Sequence, residues 1–202
     1  MDVDSTLITS EVIELIAEHA GTRAEVARIT EAAMRGELDF AASLKERVAT
    51  LAGLPESVFA EVLDRVEFSP GAPELIAAAQ SAGWEVALVS GGFIEIVAPL
   101  AHTLGITRFR ANRLGIADGV LTGRTIGPVI DAAAKAAALR EFAAELGIGL
   151  DATVAIGDGA NDLEMMAIAG MSIAFNAKPV VRERAHAAIN GRLDDAAALL
   201  GL

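Results

Sequence analysis

Apolar positions follow two different patterns along the chain, and the change falls near residue 70. Over 9–69 they recur every three or four residues, the spacing of a helix face turned inward. Val12, Ile13, Leu15 and Ile16 make such a face within 9–20, and Gly21 follows as a stop. Thr22-Arg23-Ala24-Glu25 reads as a capping box opening a second helix, with Gly36 at its end. Phe40, Leu44, Val48 and Leu51 predict a third helix over 39–51. Pro55 fits the first turn of a fourth, with Val58, Val62 and Val66 inward. No strand pattern interrupts these helices, so they read as one helical insert.

After Ser69-Pro70-Gly71, helical stretches alternate with short apolar runs. Helices are expected over 73–82, 93–104, 132–146 and 163–169, and from about 194. Strand-like runs cover 84–89, 153–156, 171–175 and 187–189, and 109–126 reads as a hairpin turning at Asp118-Gly119. This alternation predicts an α/β fold: a Rossmann-like parallel sheet covered on both faces. Residues 1–8 and 70–202 would form the core, with 9–69 as a helical cap. In such sheets ligands bind beyond the carboxyl ends of the strands. Asp2 and Asp4, Ser90-Gly91-Gly92 and the loop 157–162 all fall there.

Composition narrows the function. The chain has 202 residues, 53% of them hydrophobic, enough for one domain with an inserted subdomain. Its net charge of -12 disfavours nucleic acid and anionic membranes as partners. A phosphate site would need local sign reversal by metal, Lys, Arg and backbone N–H groups. The absence of cysteine excludes disulfides, Cys-ligated zinc and a thiol nucleophile. No apolar run reaches membrane-spanning length. Met1 is followed at once by acidic residues, which is unlike a signal peptide, so a cytoplasmic protein is expected.

Four short motifs carry the candidate chemistry. In an extended Asp2-Val3-Asp4, both carboxylates point to one side, where one can attack or bind metal while the other moves a proton. The plain alternative is an acidic turn capping the next helix. Ser90-Gly91-Gly92 offers a hydroxyl and free N–H groups to a phosphate at a helix start, or is an ordinary glycine-rich turn. Lys135 is either a phosphate-neutralising point charge or a solvated surface lysine. Gly157-Asp158-Gly159-Ala160-Asn161-Asp162 packs acids and an amide among glycines. It reads as a site for a hard cation, or as a turn in which Asn161 or Asp162 caps a helix.

In that order the motifs resemble the haloacid dehalogenase superfamily of phosphohydrolases, over essentially the whole chain. Within it the chain is most similar to the phosphoserine phosphatase family. Glu11, Arg47, Val89 to Phe93, Ala111-Asn112-Arg113-Leu114 and Phe175 to Pro179 fall where that family has them. The resemblance implies Asp2 as nucleophile, forming an aspartyl-phosphate, and Asp4 as general acid and then base. It implies Mg²⁺ held by Asp2, Asp158 and the Asp4 carbonyl, with Asp162 supporting from behind. Ser90, Gly91, Lys135 and Asn161 would hold the phosphoryl group. Glu11 would meet the substrate ammonium, Arg47 its carboxylate, and Met34 and Phe40 would close the pocket. The expected partner is a small phosphorylated amino acid, and the expected oligomer a homodimer. A sister phosphatase or phosphotransferase, or a weakly active homologue that binds a phosphorylated ligand, remains an alternative on the same scaffold. In the family the first motif ends a buried strand. Here only Met1 precedes Asp2, so the first core strand is expected to be truncated, either missing or beginning upstream of this numbering.

Overall fold

The computed structural model describes residues 1–34, 37 and 39–202, apart from the Met34 side chain. Helices α1 (Val12–His19), α2 (Arg23–Met34), α3 (Phe40–Ala49) and α4 (Val58–Leu63) precede the first strand. They bury the inward residues expected from the spacing, among them Ile13, Ile16, Leu44, Val48 and Val62. Two details depart from expectation. The Thr22 hydroxyl does not close a capping box; it meets Thr50 Oγ1 at 3.1 Å and Ala17 O at 3.4 Å. Pro55 lies outside α4 and forms an antiparallel bridge with Val120. Its neighbours are held by another element: Gly53 N donates to Leu121 O, Leu121 N to Leu54 O, and Glu56 N to Gly119 O. Pro55 O in turn accepts from Val58 N at 3.0 Å, so Pro55 opens the turn that leads into α4 rather than the helix itself.

The remaining chain alternates as its pattern indicates. Helix α5 (Ala72–Ser81) leads to β1 (Ala87–Phe93), α6 (Ile94–Thr103), and the hairpin of β2 (Arg108–Ala117) and β3 (Val120–Ile126). Then come α7 (Ala132–Leu146), β4 (Val154–Gly157), α8 (Leu163–Ile168) and β5 (Met171–Phe175). Helix α9 (Pro179–Arg182), β6 (Ala187–Ile189) and α10 (Asp195–Leu200) follow. β1 runs parallel to β2, and β4, β5 and β6 run parallel to one another. The hairpin turns on Asp118 and Gly119 at φ 52° and 76°, the left-handed pair that a two-residue turn requires. Alternate side chains serve opposite faces. Leu88, Ile156, Ile173 and Phe175 join the main core, while Val89, Ala155 and Ala174 pack with residues of α7 and α8.

Ser90-Gly91-Gly92 proves to be strand rather than the start of a helix. Phe93 pairs with Asn112, which carries the ladder past the glycines through a bulge, and α6 begins only at Ile94. The two groups of parallel strands are joined by Met1 and Asp2. The Met1 nitrogen donates to Ala87 O at 2.8 Å, Val89 N donates to Met1 O at 3.0 Å, and Asp2 N donates to Ile156 O at 2.9 Å. That is a single rung of a parallel strand between β1 and β4. Near Ile8 and Phe68, which form an antiparallel bridge, the chain leaves for α1–α4 and returns. No helix among the described residues is long and apolar enough to cross a membrane.

Candidate active site

Asp2 sits at the carboxyl ends of β1 and β4 and is 4% exposed. Lys135, from the first turn of α7 and fully buried, places its Nζ 2.6 Å from Asp2 Oδ1 and 2.7 Å from Asp162 Oδ1. The surface alternative for Lys135 is thereby excluded. Asp162 Oδ2 accepts from the N–H groups of Asp158 and Gly159, so both of its oxygens are engaged. Gly157 makes this packing feasible, because a Cβ there would lie 2.4 Å from Asp162 Cγ. Asp158 Oδ1 accepts from the Thr6 hydroxyl at 3.3 Å.

The cluster is short of positive charge. Burial alone would lower the Lys135 ammonium, but Asp162 and Asp2 outweigh it and hold the group above its ordinary value. Lys135 pairs directly with two of the three buried acids, Asp2 and Asp162. Burial and the Asp162 charge push Asp2 well above the usual carboxylate range, against the pull of Lys135. The same two causes raise Asp158 to about 7. Oxygens of Asp2, Asp158 and Asp162 all lie within 4.8 Å of one another. Carboxylates without sulfur or imidazole, in negative excess, fit a hard divalent cation. Asp162 is already committed to Lys135 and two amides, which leaves Asp2 and Asp158 as the freer donors.

Asp4 faces the same pocket. Its Oδ1 accepts from Val12 N at 2.7 Å, so it does cap α1; its Oδ2 accepts from the Ser90 hydroxyl at 3.0 Å. Burial raises its pKa, the direction a proton donor needs. Ser90 Oγ also accepts from Gly92 N at 2.8 Å. A Cβ on Gly92 would fall 2.5 Å from Asp4 Oδ2, so glycine leaves room for the Asp4 carboxylate against this strand. The carbonyl of the same Gly91–Gly92 peptide accepts from Asn112 Nδ2 at 2.8 Å, and Asn112 Oδ1 accepts from Ile130 N at 2.9 Å. Asn112 is buried and ties the glycine strand end to the segment that leads into α7.

The opposite wall comes from the helical layer. Arg47 is 5% exposed; its Nε donates to Ser43 O and its Nη1 to Thr30 Oγ1, neither of them an acid. Burial lowers its pKa. Glu11 accepts from the Ser5 hydroxyl at 2.6 Å, and burial together with nearby Asp4 raises it to about 8. Asp2, Asp4, Glu11, Phe40, Arg47, Gly91 and Asn161 line one cavity of about 60 Å³. The Met34 side chain lies outside the described residues. Ser90 does not line this cavity; its hydroxyl is buried against Asp4 and Gly92. No role was expected of Thr6, Thr30 or Asn112 from the sequence. Thr6 and Asn112 stood inside quoted motifs, but their partners are distant in sequence. Thr30 carried no signal at all.

The haloacid dehalogenase-like hydrolase family model matches residues 1–167. The chain belongs to the haloacid dehalogenase-like hydrolase family. Among its relatives, a phosphoserine phosphatase of Streptomyces coelicolor is 56% identical over 203 residues, covering 100% of this chain and 50% of that protein. Phosphoserine phosphatase SerB2 of Mycobacterium tuberculosis is 52% identical over 100% of this chain and 49% of its own length. This haloacid dehalogenase-like chain thus spans about half the length of both. A phosphoserine phosphatase of Streptococcus thermophilus is 54% identical over 92% of this chain and 86% of its own. Among solved structures, a phospho-aspartyl intermediate analogue of phosphoserine phosphatase superimposes with a TM-score of 0.95 at 42% identity, covering 98% of this chain and 95% of that one.

Proposed function

We propose that this chain hydrolyses O-phosphoserine to serine and phosphate, through a phosphorylated Asp2. The observation that carries the proposal is the buried Asp2 carboxylate held by Lys135 at 2.6 Å, facing a small cavity that Glu11 and Arg47 line on its other side. A compact ligand with an anionic phosphoryl end and a zwitterionic end matches that distribution of charge. Relatives named phosphoserine phosphatase and a solved phospho-aspartyl analogue support the same reading.

In this reading residues 9–69 act as a cap over a core of 1–8 and 70–202. Asp2 attacks phosphorus while Asp4, raised by burial, protonates the departing serine oxygen. Asp4 then takes a proton from the water that cleaves the acyl phosphate. Lys135 stabilises charge on the phosphoryl oxygens as it builds. The Gly91 N–H and Asn161 position the group, and Ser90 joins them on exchanging its Asp4 contact for a phosphoryl oxygen. Arg47 grips the substrate carboxylate with a planar fork, Glu11 meets the ammonium, and Phe40 and Met34 exclude water. Mg²⁺ would be held by Asp2, Asp158 and the Asp4 carbonyl, with Asp162 behind them, and supplies positive charge where the phosphoryl group arrives. The assay is Mg²⁺-dependent phosphate release from phosphoserine by the purified chain. Activity that survives Asp2→Asn would overturn the assignment.

A further inference from the structure

Thr30 lies on the buried face of α2, is 4% exposed, and lines the acid-bearing cavity beside Arg47 and Phe40. Local preference does not explain a threonine there. Its branched Cβ is no asset in a helix, and a buried hydroxyl costs free energy unless it is bonded. Its Oγ1 accepts from Arg47 Nη1 at 2.9 Å. The bond from Arg47 Nε stays within α3, to Ser43 O at 3.2 Å, whereas the bond to Thr30 crosses to α2. Pairing of the two helices has other supports. Thr22 Oγ1 meets Thr50 Oγ1 at 3.1 Å, and Val26, Leu44 and Val48 pack into the main core.

A guanidinium is planar, so bonds from two of its nitrogens fix its plane. The kind of anchor matters as much as its place. An acid at this position would hold the group equally well and cancel its charge. A hydroxyl accepts the bond and leaves the charge for a ligand. We propose that Thr30 is a positioning residue for the substrate carboxylate: its hydroxyl sets the plane of the Arg47 fork before substrate arrives and leaves the charge of that fork uncancelled. This deepens the proposed phosphoserine activity and rests on Arg47 meeting a carboxylate. The long Arg47 side chain is then ordered during folding rather than during binding. The benefit should therefore appear in substrate affinity and not in the chemical step.

The test removes the hydroxyl and then gives it back. Thr30→Val, and Thr30→Ala with a better helix former, should each raise KM for phosphoserine about tenfold with kcat within about twofold. O-phosphoethanolamine keeps the ammonium and lacks the carboxylate, and its KM should move by less than about twofold. Thr30→Ser should restore the phosphoserine KM. In an Arg47→Ala background, Thr30→Val should add nothing further, since both act through one contact. An unchanged KM, equal losses on the two esters, failure of Thr30→Ser to restore, or additive losses in the double variant overturns the proposal. A preference for phosphoserine over phosphoethanolamine that vanishes in Arg47→Ala but persists in Thr30→Val overturns this inference alone. Absence of that preference in the unmodified protein overturns the Arg47 assignment and this inference with it.

Discussion

The floor and the far wall of the acid-lined cavity are built on opposite terms. On the floor, Lys135 and Asp162 are fully buried and each charge is met by opposite charge or by amides. On the wall, Arg47 is nearly as buried, yet the bonds from its Nε and Nη1 reach a carbonyl and a hydroxyl, while Glu11, raised to about 8, keeps a proton at neutral pH. Burying charge against neutral partners is costly. The wall therefore has more to gain from a ligand of complementary charge, whereas the floor is set before any ligand arrives. Preset charge suits the reacting centre, and unmet charge suits recognition.

Four measurements would break or sharpen this contrast, from the largest effect to the smallest. Lys135→Met leaves Asp2 and Asp162 buried without their cation. It should cut phosphate release by about 10³-fold or more and cost roughly 3–5 kcal/mol in urea unfolding. Unchanged stability would mean that the floor is not held by this cluster. Arg47→Ala should lower kcat/KM on phosphoserine by about 10²-fold and leave a phosphate ester lacking a carboxylate almost unaffected. Equal losses on both would move Arg47 out of recognition.

Asn112→Asp keeps an acceptor for Ile130 N but removes the donor to Gly91 O. We expect a drop of about tenfold in kcat with KM little changed. Relative to the unmodified protein, activity should recover as pH falls and the introduced carboxyl regains a proton to donate. A variant equally impaired at every pH would argue against that contact.

The smallest effect is thermal. Burial first, then neighbouring acids, raises Asp158 to about 7 and Glu11 to about 8, so the folded chain keeps protons that the unfolded chain releases near pH 4. Without metal, stability should therefore fall as pH rises from about 4 to about 8. Burial lowers the Met1 ammonium to about 6, which acts in the opposite sense above that pH and offsets part of the loss. Mg²⁺ binding displaces the Asp158 proton, so it should raise the melting temperature by a few degrees more near pH 8 than near pH 5.5. A gain independent of pH would separate the cation from Asp158.

The sequence made the helices and the motifs readable because both depend on neighbouring residues. The helix 132–146 was placed residue for residue, since its periodicity and Gly147 are local. The Asp118-Gly119 turn was legible for the same reason. Ser90 to Gly92 was misplaced because its conformation is set by Phe93 pairing with Asn112, a partner nineteen positions away. Pro55 was misplaced because Val120 and its neighbours hold the chain around it. The site residues could be named from four short motifs, but not the bonds between them. Thr30 on Arg47 and Asn112 between Gly91 and Ile130 exist only after folding.

The bonds from Gly53, Leu54 and Glu56 to the hairpin have a consequence for ligand length. They fasten the chain just beyond α3 to β3, and Gly123 comes so near that a Cβ there would lie 3.2 Å from Ala49 O. Arg47 sits only two positions before Ala49. The reach from its guanidinium to Asp2 is thus calibrated by a ribbon that belongs to the sheet, and the pocket measures its guest against the hairpin as a caliper does against its fixed jaw.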